Sequence, residues 1–190
     1  MTFFISGLVL FFATHFFSAF RSREPGRDIK EKLGHGPYMG LYSIISLAGF
    51  ALIVIGYGQL RPSPIIFDPP GWGRFVNYVL MIPAFIFLAS SQFPKGHIKA
   101  RLRHPMLVSV KIWALGHIVS NGELNALILF AAFLAYAVIN RIAVKRRAVE
   151  PDTGEVSAKW DVVSVIVGLA AYVAFYLWLH QWLIGVPVHA

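Results

Sequence analysis

Four ionisable side chains interrupt the apolar stretches of this chain: His15, Lys111, His117 and His180. A charged group at the centre of a membrane helix costs on the order of 2.5 to 3.5 kcal/mol by insertion scales, so each is a candidate for chemistry. Histidine is the cheaper type because it can enter neutral, and neutral imidazole is a common ligand for haem iron. The sharper reading of His15 and His117 is a pair of haem ligands; the plainer one is a hydrogen bond between helices. Their depths bear on the choice. His15 lies about 8 Å of helix before Phe20, and His117 about 17 Å after Met106. The mismatch of about 9 Å strains a shared iron, although helix tilt takes up part of it. His180, beside Trp178 and Gln181 near the end of the last apolar stretch, reads as an interfacial residue. His35 and His189 stand in polar or terminal context and carry no signal.

A second group lies between Pro94 and Pro105, in Lys95-Gly96-His97-Ile98-Lys99-Ala100-Arg101-Leu102-Arg103-His104. Basic and apolar residues alternate there, as in a segment lying on a lipid surface. Pro105 then suits the first position of a helix, where its missing amide hydrogen would have no helical partner. Headgroup contact is the plain role for Arg103 and His104, and catalysis at the membrane rim is the sharper one.

The elements that must hold these residues follow from composition. Of the 190 residues 57% are hydrophobic and 14% charged, and mean hydropathy is +0.64. A soluble domain has roughly 45 to 50% apolar and about 25% charged residues. Apolar runs of the length needed to cross a bilayer recur instead. The chain therefore reads as an all-α, polytopic integral membrane bundle, one domain over residues 1–190, with about six segments: Thr2–Phe20, Leu41–Leu60, Phe75–Ser91, Met106–Val119, Leu124–Ile139 and Val162–Ile184. The fourth is weak, because its length gives about 21 Å of helix and it holds Lys111. It reads as re-entrant, or as half of a hairpin turned at Asn121-Gly122. The first segment has no basic residue before it and no small-x-small cleavage site, so it reads as a retained helix and not a signal peptide.

The chain has 17 Lys and Arg against 9 Asp and Glu, and their placement decides what the charge means. The first and fifth connections hold five basic residues each, Arg21, Arg23, Arg27, Lys30 and Lys32, and Arg141, Lys145, Arg146, Arg147 and Lys159; the third holds Lys95, Lys99, Arg101 and Arg103, with Lys111 counted to the same side from inside the weak fourth segment. The second holds only Arg61 and Arg74. Basic residues accumulate in cytoplasmic loops, so six crossings put both termini outside. This placement also accounts for the charge as topology and attraction to anionic lipid, and nucleic acid is not an expected partner. The absence of cysteine excludes disulfides, thiolate metal sites, iron–sulfur clusters and a cysteine nucleophile. No Gly-rich phosphate loop or Gly-x-Ser-x-Gly is present.

The stretch Gly96-His97-Ile98-Lys99, Arg103-His104-Pro105-Met106-Leu107, Trp113-Ala114-Leu115-Gly116-His117 and Asn121-Gly122 resembles the NnrU family of bacterial membrane proteins. The likeness covers nearly the whole chain and continues in Lys145-Arg146-Arg147 and in His15 with its basic following loop. Its specific part is His97 to Asn121. The resemblance implies a multi-pass protein of the bacterial inner membrane, associated with expression of nitrite and nitric oxide reductases in denitrification.

The NnrU family is similar in turn to plant and cyanobacterial 15-cis-zeta-carotene isomerase, a membrane enzyme that uses haem b and is active with reduced iron. That resemblance implies haem b with His15 and His117 as axial ligands, and Arg103 and His104 at the cytoplasmic rim as further cofactor-site residues. It also implies an apolar polyene or a small ligand such as nitric oxide as partner. The isomerase has a cysteine three residues before its second histidine, where this chain has Ala114, so a thiolate ligand switch is closed to it. Two other classes stand beside this reading. One is a non-enzymatic assembly or regulatory subunit of a respiratory complex. The other is a membrane methyltransferase of the isoprenylcysteine or phospholipid type, which also carries Arg-His-Pro; against it, Val162–Ile184 holds no acidic residue.

Overall fold

The computed structural model describes residues 1–147 and 154–188; His189 lies outside them. Among the described residues the regular structure is helical, with one isolated antiparallel bridge between Ile65 and Glu123. The helices are α1 (Thr2–Phe20), α2 (Ile29–Leu33), α3 (His35–Gln59), α4 (Gly73–Gln92), α5 (His97–Leu102), α6 (Pro105–Ser120), α7 (Leu124–Arg146), α8 (Ala158–Ala174) and α9 (His180–Ile184). A wider π-helical turn, Phe175–Leu179, joins α8 to α9.

Among the described residues five helices are long and apolar enough to cross a membrane: α1, α3, α4, α7 and the continuous run Ala158–Ile184. Together with the shorter α6 they make the polytopic helical membrane bundle expected from the composition. The boundaries move where local chemistry overrides hydropathy. Gly34, at φ +81°, breaks the chain and accepts a hydrogen bond from the Tyr38 amide, so α3 begins at His35 and not at Leu41. Helix α7 runs past Ile139 to Arg146 because Arg and Lys are good helix formers and their charge favours a helix C-terminus.

Contacts divide the chain into two compact units: Met1–Ser63 with Ile142–Arg147, and Pro64–Arg141 with Ala148–Ala190. In the first, α1 lies directly on α3. A Cβ at Gly7 would stand 2.6 Å from the Ile53 nitrogen, one at Gly49 2.8 Å from the Phe11 nitrogen, and one at Gly56 2.6 Å from the Phe4 Cα. Glycine at these positions permits backbone-to-backbone approach, the usual way helices associate where lipid removes the hydrophobic drive.

In the second unit α4 packs against both α6 and α8. Ser109 donates to the Ala84 carbonyl at 2.7 Å, and Gly168 faces the Ile86 backbone. Asn77 near the start of α4 donates to Ser120 at the end of α6, 3.0 Å away, while Lys99 donates to the Phe93 carbonyl near the other end of α4. The fourth segment thus runs alongside α4 in the opposite direction for almost its whole length, although its 16 residues give only about 24 Å of helix. The turn after it, foreseen at Asn121-Gly122, is tied down by the Ile66 amide donating to Gly122 and the Leu124 amide donating to Pro64.

Large apolar side chains remain exposed along these helices, including Ile44 (68%), Leu47 (67%) and Trp182 (79%). Exposed apolar surface on this scale marks an interaction face, and on helices of this length that face meets lipid.

Candidate functional site

His15 sits one turn and a half before the end of α1, half-buried. Its Nδ1 lies 2.7 Å from the Phe11 carbonyl oxygen. Because a carbonyl only accepts, Nδ1 carries the proton and the ring's lone pair is on Nε2, the tautomer that metal-binding histidines adopt. The imidazole stacks on Phe11, with ring centroids 4.0 Å apart, and lies 5.3 Å from the Tyr42 ring.

His117 repeats the arrangement in the second unit. Its Nδ1 is 2.8 Å from the Trp113 carbonyl, again four residues back, so its lone pair is also on Nε2. The ring stacks on Phe130 at 4.5 Å and approaches Trp113 at 5.3 Å. Asn121 donates to the His117 carbonyl at 2.8 Å, which satisfies one of the acceptors left at the end of α6. His180 also uses Nδ1, toward the Val186 carbonyl at 2.7 Å, at the point where the chain leaves the π-turn. Lys111 is half-buried in the middle of α6.

His104 and Arg103 lie at the opposite end of α6 from His117, across about 20 Å of helix. Arg103 holds φ +61°, a region that costs a non-glycine residue about 1 to 3 kcal/mol, and this strained residue reverses the chain between α5 and α6. His104 precedes Pro105, which occupies the first helical turn as anticipated.

Burial chiefly, and then the charges of Arg141 and Arg103, hold the His104 pKa below the ordinary 6.5. The unfolded imidazole titrates at about 6.5, so between the two values the unfolded chain binds more protons. Stability therefore falls as pH drops from neutrality through 6.5 toward the folded value. His104→Gln should lessen the loss of melting temperature between pH 7.5 and 5.5; an unchanged slope would remove His104 as its source.

Three polar residues with structural roles were hidden in the sequence. Asp161, in the first turn of α8, accepts from the amides of His97 (2.8 Å) and Ile98 (2.9 Å) and pairs with His97 Nδ1 (2.8 Å). It anchors the whole basic segment that leads to Arg103. Asn125 is 1% exposed and Ser164 2%; each is a polar residue inside an apolar run, which is the signal that could have singled them out. Among the described residues no three or more His, Asp or Glu gather into a metal-binding group. A haem needs only one or two protein ligands, so the candidates remain the individual histidines.

These features define a polytopic helical membrane protein with two imidazoles oriented by their own helix backbones. The family profile described as NnrU protein matches residues 3–188, and the chain belongs to that family. Neither a curated protein nor a solved structure matches it.

Proposed function

We propose that this NnrU-family protein binds haem b in the bacterial inner membrane, with His15 and His117 supplying ligand nitrogens. The supporting observation is the shared preparation of the two rings: each donates Nδ1–H to the carbonyl four residues back and stacks on a phenylalanine. That fixes the tautomer and the ring plane before any ligand arrives, as hydrogen-bonded partners do in metal sites. When bound, haem would supply an iron able to take an alkene or nitric oxide as a ligand.

Phe11, Phe130 and Trp113 orient the imidazoles and surround them with apolar surface. Ala114 offers no thiolate, so a cysteine-for-histidine ligand switch is closed to this chain. Arg103 and His104 lie at the rim, facing the headgroup layer in this reading. The basic-residue distribution supports both termini in the periplasm, and family membership supports an association with denitrification, through a haem-dependent, isomerase-like step or through ligand sensing.

Absorption spectra of the detergent-purified protein, oxidised and then dithionite-reduced, with a pyridine haemochrome assay, test this. One b-type haem per chain is expected, with its loss in His15→Ala and His117→Ala. Haem retained by the double variant would overturn the ligand assignment. A colourless wild-type protein after expression with ample haem would favour the assembly or regulatory subunit instead.

A further inference from the structure

The first unit gathers positive charge at the end where α1 stops and α3 starts. The Arg21 guanidinium lies 5.5 Å from the centre of the Tyr38 ring, and the Arg21 side chain is only 11% exposed. Arg147, just past the end of α7, belongs to the same unit. Burial first, and then the nearby charges of Arg23 and Arg21, hold its pKa below the usual guanidinium value. Asp28 answers part of this charge by pairing with Arg21 Nη1, and that hydrogen bond is the main cause that keeps its carboxyl below the usual carboxylate range.

Among the described residues at this end, three buried donors have no hydrogen-bond partner: Arg21 Nε, the Tyr38 hydroxyl and Arg147 Nη2. Tyr38 is 6% exposed as a residue. Buried donors are almost always paired, and an orphaned one calls for an explanation. Like charges brought together make the gap more telling, since repulsion adds to the unmade bonds. An acceptor with several oxygens and negative charge relieves all of these at once. The guanidinium fork matches phosphate geometry in particular.

We propose that Arg21, Tyr38 and Arg147 form a binding site for a phosphate oxyanion. Its position favours the phosphate of an anionic lipid: Arg21 directly follows α1 and Arg147 directly follows α7, both long enough to cross the membrane, which sets the site at headgroup level. Free phosphate is the other source of the same chemistry. The site is independent of whether His15 holds haem.

The test is native mass spectrometry of the full-length protein in neutral detergent, titrated with short-chain phosphatidylglycerol and, separately, with inorganic phosphate. A single saturable lipid adduct is expected. Arg147→Gln should weaken it about tenfold, the scale of one charge-assisted hydrogen bond. Tyr38→Phe removes only a hydroxyl, keeps the ring under Arg21, and should weaken it about threefold; it serves if Arg147→Gln fails to fold. The exposed Lys32→Gln should bind as the wild type does. Competition by inorganic phosphate would mark the anion itself as the ligand, and resistance to it would assign the site to the lipid. Adducts that never saturate, or equal binding by all variants, would overturn the proposal. So would variants that keep the lipid but lose haem, since the cluster would then be a cofactor clamp.

Discussion

Valine in place of Gly56 is expected to force α1 away from α3, with a loss of about 3 kcal/mol or more, the upper range for overpacking. The new side chain would begin where the Phe4 backbone already stands, and a backbone cannot swing aside as a side-chain tip can. Gly58, two residues further along α3, provides the control: nothing lies within 4 Å of a Cβ added there. Thermal unfolding in one detergent should show a large fall in melting temperature for Gly56→Val and almost none for Gly58→Val. Equal melting of the two variants would mean that the glycine seam does not hold the helices. The same seam positions the first histidine, because Gly49 sits against Phe11, whose ring and carbonyl both orient His15.

Asp161→Ala should have the second large effect. It removes the acceptor of two amides and one imidazole, and it leaves the start of α5 without its tie to α8. Hydrogen bonds to a charged group contribute roughly 1.5 to 3 kcal/mol each and do not add fully, so a loss of about 3 kcal/mol is expected. A more specific readout is trypsin. Cleavage at Lys99, Arg101 and Arg103 should accelerate in the variant before global unfolding, and Asp161→Asn, which keeps one acceptor oxygen, should fall between. Wild-type cleavage rates in Asp161→Ala would show that the basic segment is held by something else.

How far the sequence could be read depended on which interactions are local. The spans were legible because apolar runs of bilayer length have few other uses, and Pro105 marked the start of α6 through its missing amide hydrogen. The weakness of the fourth segment was legible too, but its course along α4 was not, since Asn77 and Ser120 are 43 residues apart. Gly49 and Gly56 carried no distinctive local signal; their meaning comes from Phe11 and Phe4 on another helix. Asp161 carries no local signal, because its partners, His97 and Ile98, lie more than sixty residues away. The histidines were legible as candidates by cost alone. Their tautomers were not, because these depend on the carbonyls of Phe11 and Trp113 being within reach of ring nitrogens.

The π-turn at Phe175–Leu179 makes the last span a shaft of two phases. Ahead of the joint, Gly168 seats on the Ile86 backbone; beyond it, His180 and Val186 are tied to each other by their own hydrogen bond. Tyr78 is the pin across the joint, its ring set edge-on to Tyr176 and its hydroxyl donating to the Val188 carbonyl at 2.6 Å. Deleting one residue from α9, beyond the turn, would rotate everything downstream of the deletion by about 100°. The seat at Gly168 would be untouched, and the pin would lose its outer hold. Tyr78 thus indexes the terminal turn to α4, and changes of length in this span fall on that joint before they reach the packing below it.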